Sequence, residues 1–215
     1  MAYRLGPLLC LLLLFAPSAL AQSETLTLAD VTAAYRSVDG LSASFEQVLS
    51  SDFARDSMRV NGSVVLSGNK YRVKTPDQTV VSDGSTTWIY TPADSQVVVN
   101  DADGENSRIT PETFLTASTD RYEVNARTAT TRLGTPHVRL DVGATDPAAR
   151  FESVRLWVRR SDRLVTRMQA TDRDGSTIDL RLRNLTVNPE RLATDSPFRF
   201  SPPQHVEVID LRSDP

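Results

Sequence analysis

From Leu41 onward the sequence alternates apolar and polar residues with period two, in stretch after stretch and with the same sense. Phe45, Gln47 and Leu49 oppose Ser44 and Glu46. Met58, Val60, Val64 and Leu66 oppose Arg59, Asn61 and Ser63, and Tyr71 with Val73 opposes Lys70, Arg72 and Lys74. Later stretches agree: Val138, Leu140 and Val142 against Arg139 and Asp141, Leu164 and Met168 against Arg167 and Gln169, then Ile178, Leu180 and Leu182 against Asp179, Arg181 and Arg183. Side chains two apart on a strand share a face, so the pattern predicts an antiparallel sheet with one wet side. Turn signals at Gly62, Ser67-Gly68-Asn69, Asp83-Gly84, Asp103-Gly104 and Asp174-Gly175 leave connections too short for parallel crossovers. The expectation is a meander of about ten or eleven strands, roughly 50 Å wide, which tends to curl.

Two helices are signalled. Thr27 caps one that runs to about Val38, with Leu28, Val31, Ala34, Tyr35 and Val38 on one stripe, Asp30 completing a capping box and Gly40 as the stop. In ITPETFLTAS, Thr110 caps a second, with Pro111 in its first turn and Phe114 and Leu115 as its apolar patch. A helix is about 10 to 12 Å across, so two short ones cover under half of such a sheet. The remaining apolar face either closes on itself as a barrel or lines a hollow.

Residues 1–21, MAYRLGPLLCLLLLFAPSALA, read as a cleaved secretory signal. Arg4 precedes an apolar run too short for a permanent membrane span, and Ala19-Leu20-Ala21 is a small-x-small cleavage site. The only cysteine, Cys10, lies inside it, so residues 22–215 fold as a single domain without disulfides, thiolate catalysis or thiolate ligands. A bacterial periplasm fits. Net charge is −3, arginines far outnumber Lys70 and Lys74, and no basic block exists, which argues against nucleic acid as a partner.

A search for enzyme chemistry finds no constellation. His137 follows Pro136 and falls on the wet side of its strand, His205 follows Pro203-Gln204, and both read as surface residues. There is no G-x-S-x-G elbow, Walker loop, HExxH or dinucleotide turn. The acidic turns Asp101 to Asn106 and Asp172 to Gly175 lack calcium-loop spacing. Neither catalytic residues, a metal nor a cofactor is expected. The arginines of the wet face, such as Arg155, Arg159 and Arg160, read as solvated surface that is also suited to acidic partners.

Four features occur in this order and at matching spacings: the signal, SFEQ at Ser44 to Gln47, VSDG-x-x-x-W-x-Y-x-P at Val81 to Pro92, and FRFSPPQHVEVID at Phe198 to Asp210. Together they resemble the periplasmic outer-membrane lipoprotein carrier family, the LolA-like proteins, across the whole of residues 22–215. The resemblance implies a mainly β fold with a few helices: a curved antiparallel sheet forming an unclosed half-barrel, lidded by short helices over an apolar cavity. It implies a monomeric chaperone that binds lipoprotein acyl chains, takes its cargo from an ABC-type release complex in the inner membrane and passes it to an acceptor at the outer membrane. The residues expected to line the cavity are Phe45, Leu49, Val64, Leu66, Tyr71, Trp88, Tyr90, Phe114, Leu115, Leu140, Leu156, Met168 and Leu182; residue by residue, rings and methionine at period two are also ordinary sheet core. Gln47 and Thr166 fit as polar breaks in a lining that has to release its cargo. The family's Lys-Arg-Pro element, whose arginine restrains the lid, is replaced by Leu66-Ser67-Gly68-Asn69-Lys70, which leaves room for a relative that carries a different lipid; the alternative reading is a lipid-binding envelope sensor of the same fold.

Overall fold

The computed structural model describes residues 25–51, 56–102, 120–189, 192 and 196–212. The proposed signal and the second helix, with Phe114 and Leu115, lie outside them. The one α-helix among the described residues, α1 (Leu28–Arg36), is capped as expected: Asp30 N–H donates to Thr27 Oγ1 at 3.1 Å, and Thr27 N–H donates to Asp30 Oδ2 at 2.8 Å. It ends on Ser37, three residues before Gly40. Gly40 is needed for a different reason, because a Cβ there would lie 2.4 Å from the Leu66 carbonyl oxygen.

Twelve strands follow: β1 (Leu41–Ser51), β2 (Asp56–Ser67), β3 (Lys70–Lys74), β4 (Thr79–Ser82), β5 (Thr86–Thr91), β6 (Gln96–Asp101), β7 (Tyr122–Arg132), β8 (Thr135–Ala144), β9 (Phe151–Arg159), β10 (Val165–Asp172), β11 (Thr177–Val187) and β12 (Glu207–Asp210). They form one sheet in the order β12-β6-β5-β4-β3-β2-β1-β11-β10-β9-β8-β7. Strands β1 to β6 are one meander and β7 to β11 another, joined where β1 runs antiparallel to β11 from Leu41 opposite Val187 to Ser50 opposite Thr177. The order has two free edges, β12 and β7, so the sheet is open. Two expectations are corrected. Gly62 lies inside β2 rather than in a turn, and β12 pairs in parallel with β6.

Directly opposed residues of paired strands share a face, so the register sorts the whole sheet. On one face Leu140, Leu156, Met168, Leu180, Gln47 and Val60 form a continuous row across β8, β9, β10, β11, β1 and β2. The next row reads Val142, Val154, Ala170, Ile178, Leu49 and Met58. Helix α1 lies on this face, its Leu28, Val31 and Tyr35 sharing one buried cluster with Leu140, Leu156 and Met168.

The opposite face has two halves of different character. Across β3 to β6, Val81, Val97 and Val99 are buried beneath the C-terminal segment, whose Phe198 is buried and whose Phe200 sits 6.3 Å from the Trp88 ring and 6.2 Å from that of Tyr90. Arg72 fastens this segment by donating from Nε to the Pro197 carbonyl at 2.6 Å and from Nη2 to that of Arg199 at 2.9 Å. Strands covered on both sides explain the unbroken runs Val80-Val81 and Val97-Val98-Val99. Across β1 and β8 to β11 the same face is polar and carries charge.

Because the Thr27 side chain holds the first turn of the helix that closes the main core, Thr27→Ala is expected to cost about 1 kcal/mol. Urea unfolding followed by circular dichroism measures this as a lower midpoint with unchanged slope.

Candidate functional site

Cover falls off along each row of the helix-bearing face. Leu140, Leu156 and Met168 are wholly buried and Leu180 nearly so, whereas Gln47 and Val60 at the other end of the row are half-buried. In the neighbouring row Val142, Val154 and Ala170 are buried, Leu49 is half-buried and Met58 is 58% exposed. The gradient follows from geometry. Helix α1 spans nine residues, about 14 Å, and lies over the β8 to β11 side. The surface that the described residues leave open is therefore that of β1, β2, β3 and the edge of β11: Phe45, Leu49, Val60, Leu66, Tyr71, Val73 and Leu182, all half-buried and all on one face.

Gly62 shapes the middle of this surface. It stands opposite Phe45, and a Cβ there would lie 2.6 Å from the ring's Cζ and 2.4 Å from the Lys74 carbonyl oxygen, so the ring lies over the bare backbone of β2. At the end of the sheet where α1 runs into β1, a cleft of about 240 Å³ opens between Tyr35, Arg36 and Val38 on one side and Leu41, Leu66, Ser67 and Gly68 on the other. The β2–β3 turn flanking it has no arginine. Ser67 Oγ donates to the Asp39 carbonyl at 2.9 Å and Asn69 Nδ2 to that of Gly84 at 3.2 Å, which fixes the turn to the helix exit and to the β4–β5 turn.

The sequence-predicted residues divide into four groups. Phe45, Leu49, Leu66, Tyr71 and Leu182 form the half-open surface. Val64, Leu140, Leu156 and Met168 share its face but are fully buried. Phe114 and Leu115 lie outside the described residues. Trp88 and Tyr90 are placed differently from expectation: the register that sets Val65, Arg72, Val81 and Trp88 opposite one another puts both rings on the far face, against Phe200. Val60 and Val73 belong to the open surface and were missed; their alternation with Asn61 and Arg72 was the signal.

Two polar expectations are corrected as well. Thr166 is not in the lining, because a bulge between Val165 and Arg167 turns it toward His137, whose Nε2 lies 2.9 Å from the Thr166 hydroxyl. His137 is only 3% exposed rather than on the surface: its Nδ1 lies 2.8 Å from the Thr135 carbonyl, which fixes Nδ1–H as donor when the ring is neutral. His205 is exposed. In the β10–β11 turn the carboxylates serve the backbone, with Asp174 N–H donating to Asp172 at 3.1 Å and Ser176 N–H to Asp174 at 2.8 Å.

The charged half of the opposite face is ordered in the same cross-strand manner. Glu46, Arg181, Arg167, Trp157 and Arg139 are in register across β1, β11, β10, β9 and β8. Asp179 accepts from Arg167 Nε at 2.8 Å, from its Nη2 at 2.7 Å and from Arg181 Nη2 at 2.8 Å, while Glu46 accepts from Arg181 at 3.1 Å and Arg59 at 3.0 Å. Arg167 also stacks on Trp157 at 4.5 Å. Burial alone would push the Asp179 carboxyl up, but the hydrogen bonds from Arg167 and Arg181 outweigh it and hold the group below its ordinary value. A folded value below the unfolded one gives stability that is present above about pH 4 and is lost as pH falls through the folded value. Urea midpoints are therefore expected to drop on acidification through that window, and Asp179→Asn, destabilising by about 2 kcal/mol at pH 7, flattens part of the drop.

Residues 36–201 match the family described as outer membrane lipoprotein carrier protein LolA. An outer-membrane lipoprotein carrier protein of Haemophilus influenzae is 30% identical over 208 residues, covering 92% of this chain and 96% of the relative. One from Pasteurella multocida is 29% identical over 182 residues, 81% of this chain and 82% of its own. Among solved structures, an uncharacterized conserved protein from Thermus thermophilus superposes with a TM-score of 0.54 at 13% identity, covering 85% of this chain and 96% of that one. MucB superposes with a TM-score of 0.50 at 17% identity over 85% and 63%. These structural likenesses speak for the fold alone.

Proposed function

The chain belongs to the outer-membrane lipoprotein carrier family, and on that premise we propose that the half-covered face of β1 to β3 and β11 holds the acyl chains of lipoproteins in transit through the periplasm. One observation carries this reading: apolar rows that are sealed under α1 at Leu140, Leu156 and Met168 and at Val142, Val154 and Ala170 continue, on the same face, to Val60, Leu49 and Met58, beside Phe45 and Leu182, with their cover incomplete. Acyl chains gain about 0.8 kcal/mol for each methylene removed from water, so free diffusion of a lipoprotein's chains is excluded and a surface that shelters them part-way suffices to carry them. Gln47, set within the apolar row, weakens the grip at one point without opening the core.

The finer steps belong to the same proposal. Residues 1–21 direct export, residues 22–215 form the working domain, an ABC-type release complex of the inner membrane supplies the cargo, and an acceptor at the outer membrane receives it. The cleft beside Tyr35 and Leu66 is smaller than the ~300–1,000 Å³ of ordinary ligand pockets, so in this reading it takes only part of the cargo and the half-covered face of β1 to β3 takes the rest. Phe114 and Leu115 are assigned to a second piece of cover. No residue is assigned a catalytic part.

Native mass spectrometry of protein taken from its own periplasm is expected to show a bound lipoprotein or lipid mass. In vitro, the paired change Phe45→Glu and Leu49→Glu is expected to weaken binding of a fluorescent acyl probe at least about tenfold while far-ultraviolet circular dichroism is unchanged, because two carboxylates then stand in the path of the chain. Delipidated, monodisperse protein that binds neither the probe nor lipoprotein sinks the reading.

A further inference from the structure

The turn from β7 to β8 is made by Leu133 and Gly134, both with positive φ, 47° and 75°. This twist suits a two-residue hairpin, but its first position ordinarily carries Asn, Asp or Gly, because a larger side chain crowds the neighbouring carbonyl. Leu133 is 93% exposed, so packing within the described chain does not offset the strain. A bulky apolar residue kept in solvent in a left-handed conformation is disfavoured on both counts, and strain of this kind tends to persist where a task retains it.

The surroundings indicate the task. The β9–β10 turn lies beside the tip, with Arg160 N–H donating to the Pro136 carbonyl at 3.1 Å and Arg159 opposite His137. Arg159 is bonded to Asp162 at 3.0 Å, and Arg163 faces Asp30 at 3.8 Å. Arg160 is exposed and has no ion-pair partner among the described residues, and Arg132, next to the tip, rests over Trp157 at 5.6 Å. An apolar finger thus projects beside four arginines, of which Arg159 and Arg163 are paired with Asp162 and Asp30 among the described residues. β8 begins, β9 ends and β1 begins at this end of the sheet, so the tip and the cleft at Tyr35 and Leu66 look the same way.

We propose that this end touches an anionic membrane surface, Leu133 entering the boundary between headgroups and acyl chains while Arg132 and Arg160 meet lipid phosphates. Lipid is favoured over a protein partner because a bilayer offers apolar depth beneath phosphates at every point, whereas a partner would need a leucine pocket inside an acidic rim. One leucine and a few guanidiniums bind weakly and reversibly, as a shuttle requires. That the contact aims the cleft at the bilayer rests on the carrier reading; the contact itself does not.

Flotation of purified, cargo-free protein with vesicles tests it, using a phosphatidylethanolamine–phosphatidylglycerol mixture and pure phosphatidylcholine. The unaltered protein is expected to float with the anionic vesicles in a salt-sensitive manner. Leu133→Asn is expected to cut the bound fraction about fivefold while raising the melting temperature by a few degrees, since Asn tolerates the left-handed turn; lost binding then does not stem from misfolding. Arg160→Gln is expected to lessen the preference for anionic lipid. Acyl-probe binding by Leu133→Asn is expected to be unchanged, which separates this proposal from the carrier reading. Equal flotation of Leu133→Asn and the unaltered protein overturns the proposal, as does no flotation with either vesicle. If the protein ignores vesicles and Leu133→Asn slows transfer of the probe only to a protein acceptor, the tip serves a protein pocket and the membrane assignment falls.

Discussion

The structure depends on a mismatch between the area of one sheet face and the size of what the described chain lays on it. Twelve strands spaced about 4.8 Å apart are far broader than a helix about 14 Å long and 10 to 12 Å across. Helix α1 seals the rows where they cross β8, β9 and β10, and the rows do not stop there. Because cross-strand neighbours share a face, the apolar character that buries Leu140, Met168, Val142 and Ala170 is carried by register to Val60, Leu49 and Met58, with Phe45 beside them on the same face. In the proposed function an acyl chain supplies the contact that the helix leaves unmade.

The opposite face shows that the chain covers a surface where it needs to. Across β3 to β6 the C-terminal segment brings Phe198 and Phe200 onto Val81, Val97, Trp88 and Tyr90, and Arg72 satisfies two of its carbonyls. This short return, which carries one 3-10 turn at Ser196–Phe198, closes a second core. It also places β12 on β6, capping that edge with four residues in parallel pairing. The area that the described residues leave open on the other face is thus a local feature of β1 to β3 and β11.

Much of this was legible in the period-two pattern, because alternation fixes which residues share a face before any pairing is known. It placed Phe45, Leu49, Leu66 and Leu182 together, and the Thr27–Asp30 capping box with its helical stripe gave the capped helix. Alternation failed where two faces are buried at once. Trp88 and Tyr90 alternate as neatly as Phe45 and Leu49, and nothing local says which side of the sheet they take; register with Val81 and contact with Phe200, more than a hundred residues on, decide that. The unbroken valines at 97–99 were the available sign. Gly62 was misread for a related reason: a glycine that makes room for a ring on the next strand looks, in sequence, like one that makes a turn. His137 was assigned to the correct face and the wrong burial, since the bulge that brings Thr166 over it leaves no trace in hydropathy.

A face whose apolar cover is incomplete among the described residues gains support from elsewhere, and the charged half of the far face supplies it. Exposed ion pairs contribute little, but Asp179 is mostly shielded, is held by two forked contacts from Arg167 and one from Arg181, and lies beside an indole that Arg167 also covers. These contacts bind β11 to β10, and Glu46 extends them through Arg181 and Arg59 to β1 and β2. The strands stitched in this way are those whose other sides pass from sealed to open. These contacts tie together from behind the strands whose fronts are incompletely packed, and on the proposed carrier reading that is what would let a lipid chain enter and leave without the sheet reorganising.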